Sequence, residues 1–159
     1  MPDLRVHRRS APQTVEHILR GLPDWFGIEE AIREYVADAT TLPCYVALFG
    51  DRAVGVLLLR RHFPQSAEVH LLAVEKDSHR RGVGSALLAA AEADLKADGV
   101  QFLLVHTVGP SSDSEPYART CEFYRARGFV PLQELKLIDW DGPTLILAKT
   151  ILPRGEECT

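Results

Sequence analysis

The segment "AEVHLLAVEKDSHRRGVGSALLAAAEADL", residues 67–95, constrains the fold most. An apolar run stops at Val74, seven mostly charged residues follow, and Gly82 and Gly84 stand directly ahead of an alanine- and leucine-rich run. The run ending at Val74 reads as a strand. Leu87, Leu88, Ala91 and Leu95 recur at helical spacing, with Gly84 expected on the same buried face and Gly99 placed to end the helix. The start of a helix presents unpaired backbone N–H groups and the positive end of its dipole, so it favours an anion. Gly82 and Gly84 remove side chains where the chain would approach that anion, and they permit the backbone angles of a tight cradle. Arg80 and Arg81 add positive charge at the same place. The expected ligand of residues 80–85 is a phosphate or pyrophosphate; the plainer alternative is that the glycines only let helix and strand pack closely.

The rest of the chain supplies the frame. "DLRVHRR" reads as a first strand, and Ser10 with Gln13 has capping-box spacing for a helix carrying Val15, Ile18, Leu19 and Leu22. Ile28, Ala31, Ile32, Tyr35, Val36 and Ala39 mark a second amphipathic helix. "CYVALFGDRAVGVLLLRRHF" is two β-rich runs about Gly50-Asp51, a hairpin pattern with "RRHF" at an exposed strand end. "VQFLLVHTV" is a further strand, "GPSSDSEP" a loop, and "YARTCEFYRAR" a helix with Pro116 in its first turn and Gly128 after it. Two strands about Asp141-Gly142 complete the order β-α-α-β-β-β-α-β-α-β-β. Hairpins at both ends with strand-helix-strand between them predict an α/β fold, a mixed sheet with helices on both faces, in a single domain over residues 1–159 with its core at about 3–152.

The 159 residues are 46% hydrophobic with a formal net charge of -4, enough apolar content for a core and too acidic for wrapping nucleic acid. "MPDLRVHRRSAPQTVEHIL" carries no apolar run of signal-peptide length and no later segment could span a bilayer, so a cytoplasmic protein without membrane contact is expected. Cys44, Cys121 and Cys158 are odd in number and widely spaced, which indicates neither a disulfide framework nor a zinc knuckle, and no metal is expected.

Three glycine-rich phosphate motifs compete for "RRGVGSALL". A nucleoside-triphosphate loop needs Gly-Lys-Ser/Thr, and no lysine stands there. A dinucleotide fingerprint needs a third glycine where Leu87 stands, and a shorter turn than "EKDSHRR". The cradle that holds the pyrophosphate of coenzyme A fits best. On these residues the chain resembles the GNAT superfamily of acetyl-CoA-dependent N-acyltransferases, whose signature is Arg/Gln-x-x-Gly-x-Gly/Ala at the opening of the central helix. "HRRGVGSALL" after "HLLAV" matches at Gly82 and Gly84 and departs at His79. "FYRARGF", residues 123–129, is similar to the family's tyrosine-bearing helix followed by Gly-Phe, and "WFGIEEAIREYV" looks like a bacterial subgroup.

The resemblance implies an enzyme that moves an acetyl group from acetyl-CoA to the primary amine of a small molecule, with His79, Arg80, Arg81, Gly82, Val83, Gly84 and Ser85 at the pyrophosphate. A backbone N–H of Ala73 or Val74 would face the thioester carbonyl, and Leu72 and Val74 would pair with the pantetheine arm. Tyr124 is the implied acid for the leaving thiolate, against the alternative of a core tyrosine. For the base, Glu68 and His70 alternate with Leu72 on one strand face, and a histidine near its usual pKa of about 6.5 suits the task. His106 on the neighbouring strand is a third candidate, and Trp25 and Phe26 fall where the family builds its acceptor pocket. A binding module without turnover and a peptide or protein N-acetyltransferase are the alternatives, and a homodimer stays open.

Overall fold

Apolar spacing becomes structure much as expected, with the helix and strand ends set by proline, glycine and charge. The computed structural model describes residues 3–112, 114–136, 138 and 142–152. They form strands β1 (Leu4–Arg8), β2 (Cys44–Phe49), β3 (Arg52–Phe63), β4 (Ser66–Val74), β5 (Phe102–Val108), β6 (Val130–Lys136) and β7 (Pro143–Thr150). The helices are α1 (Pro12–Arg20), α2 (Glu29–Asp38), α3 (Val83–Ala97) and α4 (Glu115–Ala126). The fold is mixed α/β and the element order is the expected one.

The chain divides into two compact units: one runs to Arg60 and includes Val69–Asp94, the other comprises Arg61–Glu68 and the chain from Leu95 onward. In the first unit β1 and β2 pair antiparallel from Leu4 opposite Phe49 to Arg8 opposite Tyr45. β2 and β3 form the expected hairpin, with Gly50 at φ 61 in its turn and a register shift between Ala47 and Leu48. Val54 to Leu59 are all buried, so β3 is a central strand covered on both sides. Val56 and Leu58 join the cluster built from Val15, Ile18 and Leu19 of α1, Ile32 of α2 and Leu71 of β4. Gly55 lies on the opposite face, where an added Cβ would stand 2.8 Å from Val83 Cγ1 and 3.0 Å from Leu87 Cδ1. Helices therefore cover both faces of β3, α1 and α2 on one and α3 on the other.

Two local expectations are corrected. Ser10 does not cap α1: the N-cap is Ala11 with Pro12 beginning the helix, and Ser10 Oγ donates instead to the Ala39 carbonyl at 3.2 Å, beyond the end of α2. Proline at the first helical position fixes the start one residue later than the capping box requires. Gly84 is half-buried rather than buried, and Val83, 1% exposed, takes the core position beside Leu87.

In the second unit β7 lies between β5 and β6, antiparallel to both. The β6–β7 register shifts between Pro131 and Gln133. Proline cannot donate to a ladder, so its place at an irregularity is the tolerated one. Gly128, at φ 95, ends α4 in the left-handed conformation that glycine adopts without strain.

Candidate functional site

β4 delivers the chain to the glycine pair. After Val74 a 3-10 turn at Lys76–Ser78 reverses the backbone, with Ser78 buried and its N–H donating to the Glu75 carbonyl at 2.9 Å. Arg80 and Gly82 then take positive φ values of 63 and 80. For arginine this costs about 1 kcal/mol or more, the kind of local strain that gathers at functional loops. A Cβ on Gly82 would meet nothing within 4 Å, so its φ and not lack of space calls for glycine. The Ala86 N–H donates to the Gly82 carbonyl at 3.0 Å, so the N–H groups of Val83, Gly84 and Ser85 belong to the first turn of α3, before its own ladder begins. A helix mouth with three donors, an exposed glycine and Arg80 beside it fits a pyrophosphate on this chain's own geometry.

The flanking side chains divide their tasks. The Arg81 guanidinium lies 4.4 Å from the centre of the Phe49 ring, a cation–π contact that tethers it to the end of β2. His79 turns back on the strand: its Nε2 lies 2.7 Å from the Val74 carbonyl oxygen, and its ring packs edge-on against Trp25 at 5.5 Å. The residue that departs from the family signature thus ties the connection between α1 and α2 to the end of β4.

β4 carries the expected polar row. Ala67, Val69, Leu71 and Ala73 are buried, while Glu68, His70, Leu72 and Val74 alternate with them and are half-buried. Glu68 is engaged by His62 Nε2 at 2.8 Å. His70 Nε2 lies 2.8 Å from Asp38 Oδ2 at the end of α2, and the Arg60 guanidinium reaches the same oxygen at 3.6 Å. The Tyr35 ring packs on the His70 imidazole at 5.2 Å, and Phe26 packs edge-on against Tyr35 at 5.9 Å. Phe26, Tyr35 and His70 therefore form a continuous run of rings; Trp25 and Phe26 are both half-buried against the core cluster.

Sequence reasoning missed Asp38, Tyr35 and Arg60 in this group and Gly55 under α3. Two signals were legible. A carboxylate in the last turn of a helix opposes the dipole, so Asp38 needs a tertiary reason to be there. A lone glycine inside an apolar strand run marks a close approach, here of α3.

Within the second unit Tyr124 is 4% exposed, with its ring edge-on to Phe123 and Phe129, both at 5.3 Å. The Phe129 N–H donates to the Tyr124 carbonyl at 3.1 Å, so the "FYRARGF" turn closes on the tyrosine itself. His106 is half-buried on β5, opposite Ile146 of β7. After β5, the Glu134 carboxylate accepts from the N–H and the hydroxyl of Ser111, at 3.2 and 2.5 Å, and holds the loop that follows.

Three titrations are displaced among the described residues. The bidentate Arg20 guanidinium, at 2.8 and 2.9 Å, holds the Glu29 carboxyl down at about 2, with Arg33 assisting, and Arg20 itself is raised. Burial pushes the Cys44 thiol up. Among the described residues no group of three or more His, Cys, Asp or Glu is placed to hold a metal, and no helix is long and apolar enough to cross a membrane.

Residues 40–131, more than half of the chain, match the sequence pattern of the acetyltransferase (GNAT) domain. The chain belongs to the GNAT acetyltransferase family, and it is an acetyltransferase. No curated protein sequence matches it. Its fold is similar to that of the ribosomal-protein-S18-alanine N-acetyltransferase from Escherichia coli, at TM-score 0.77 and 16% identity over 99% of each chain. It is also similar to the aminoglycoside 6'-N-acetyltransferase from Enterococcus faecium (TM-score 0.70, 19% identity, 96% of this chain and 98% of that one). A GNAT family acetyltransferase from Elizabethkingia anophelis with acetyl-CoA bound has TM-score 0.69 and 16% identity, over 92% of this chain and 97% of that one.

Proposed function

We propose that the protein transfers the acetyl group of acetyl-CoA to the primary amine of a small molecule by direct attack. The observation that carries this reading is the mouth of α3, where three helix N–H groups, the left-handed Gly82 and Arg80 converge. Residues 79–85 take the pyrophosphate there, with Arg81 and His79 fixing the loop rather than reaching outward. Leu72 and Val74 pair with the pantetheine arm through their backbone groups. A backbone N–H of Ala73 or Val74 stabilises the oxyanion.

The attacking amine must lose a proton, since an aliphatic ammonium resembles lysine with a pKa of about 10.4. His70 is the base in this reading. Glu68 is occupied by His62, and His106 of β5 is assigned to the acceptor side. Tyr124 gives the proton to the departing thiolate. A phenol near pKa 10 donating to a thiol near 8.5 is about 1.5 units uphill, within reach of a committed step. Trp25 and Phe26 line the acceptor pocket.

The test is thiol release from acetyl-CoA against a panel holding spermidine, 2-phenylethylamine, an aminoglycoside, free amino acids and a peptide with an N-terminal alanine. Amine-dependent release with a small molecule supports the reading. Release with the peptide alone moves the acceptor to proteins, and no release with any amine leaves a module that binds without turnover.

A further inference from the structure

Asp38 is a carboxylate in the least favourable place on α2. The carbonyl end of a helix is the negative end of its dipole, and Asp38 is the last helical residue, with its own carbonyl accepting from Leu42 N at 2.9 Å. A local choice that opposes its own helix calls for a compensating tertiary contact, and functional sites are where such conflicts gather. The contact is His70 Nε2, 2.8 Å from Oδ2, with Arg60 from β3 at 3.6 Å from the same oxygen. Tyr35, one turn earlier on α2, packs against the imidazole, the two rings tilted by 57° with centres 5.2 Å apart.

We infer that Asp38 is the positioning residue for the reaction's proton acceptor, holding His70 in the one neutral tautomer that leaves Nδ1 with the lone pair. The reason is chemical. An ionised carboxylate only accepts, so the 2.8 Å contact requires the proton to sit on Nε2. A neutral imidazole carries one N–H, so Nδ1 is then the basic nitrogen. The proton that leaves the attacking ammonium goes to Nδ1. The resulting imidazolium has its second N–H on Asp38, and Tyr35 fixes the plane of the ring. Arg60, 3.6 Å from the same Oδ2, places its positive charge beside the carboxylate. This role rests on His70 being the base, and Asp38 acts through it.

The experiment uses the full chain labelled with ¹⁵N-histidine and reads the His70 tautomer by long-range ¹H–¹⁵N correlation near neutral pH. In parallel, kcat and KM are measured for wild type, Asp38→Asn, Asp38→Ala and His70→Gln with acetyl-CoA and the panel amine that reacts fastest. The expected wild-type tautomer is Nε2–H. Asp38→Ala should shift it toward a mixture and lower kcat by about 10- to 100-fold, with KM for acetyl-CoA changed less than about twofold. Across the Asp38 series kcat should follow the fraction of Nε2–H. An Nδ1–H tautomer in the wild type overturns the inference whether or not the variants fold. A folded Asp38→Ala with full kcat, beside a His70→Gln that has lost it, overturns the role of Asp38 while sparing the base. Full kcat in His70→Gln removes the base, and the catalytic role of Asp38 with it.

Discussion

Replacing Gly55 by alanine tests how closely α3 lies on β3, and hence what holds the mouth of that helix in place. The new Cβ would meet Val83 Cγ1 at 2.8 Å, Leu87 Cδ1 at 3.0 Å and the Ala73 carbonyl oxygen at 3.4 Å. Carbon atoms settle at about 3.5–4.0 Å, so Val83 must retreat by about 0.7 Å or more. Val83 is 1% exposed and Leu87 fully buried, so neither has open space to move into, and the branched Val83 side chain is stiff at χ1. Overpacking of this kind costs about 1–3 kcal/mol. At about 2–4 °C per kcal/mol for a chain of this size, Tm should fall by about 2–12 °C. Gly82→Ala is the companion variant. Its Cβ meets nothing, so it should lose only the left-handed backbone penalty of about 1 kcal/mol. Differential scanning calorimetry on both variants gives the comparison, with calorimetric titration of acetyl-CoA reporting whether displacement of Val83 reaches the adjoining N–H groups. A Gly55→Ala protein melting within about 1 °C of wild type would refute the close approach of helix and strand.

Tyr124→Phe keeps the ring contacts with Phe123 and Phe129 and removes only the hydroxyl, so turnover should fall about 100-fold with acetyl-CoA affinity retained. A large drop in Tm with no loss specific to kcat would instead mark a core hydroxyl. The Arg20–Glu29 pair stabilises the fold while Glu29 is ionised. Because its carboxyl is depressed from 4.5 to about 2, that contribution is present above pH 4.5 and is lost as pH falls toward 2. Both side chains are exposed, so the effect is small and fades in salt. Tm of Glu29→Gln should lie below wild type at neutral pH and meet it near pH 2, and parallel curves throughout would contradict this. Cys44, 2% exposed with its thiol raised by burial, should resist alkylation in the folded protein and react on unfolding, as read by site-resolved mass spectrometry. Native-state labelling at a rate matching the unfolded chain would refute its burial.

Much of the frame was legible because its signals are periodic. Val15, Ile18 and Leu19 repeat at helical spacing and are buried, the Gly50 turn joins two β-rich runs, and glycines at positive φ follow α3 and α4. The left-handed turn ahead of α3 was legible for a related reason, since a glycine pair at a helix mouth invites the positive φ that Gly82 takes. What stayed hidden was pairing across sequence distance. Asp38 and His70 are 32 residues apart, and no local pattern joins a residue on a helix to one on a strand. His79 was expected among the pyrophosphate residues, and its edge-on packing against Trp25 is another pairing across sequence distance that no local pattern shows. Ser10 misled because capping-box spacing says nothing about the proline that fixes where α1 begins.

The most direct test of the account is calorimetric titration of acetyl-CoA into wild type and Gly84→Val. Gly84 is half-buried at the second residue of α3, among the N–H groups that open the helix, so an isopropyl group there stands in the path of the pyrophosphate. The account predicts saturable binding to the wild type and at least about a tenfold weaker Kd for a folded Gly84→Val, about 1.4 kcal/mol. Equal affinity in a variant whose circular dichroism and melting match wild type would contradict a pyrophosphate site at this helix mouth.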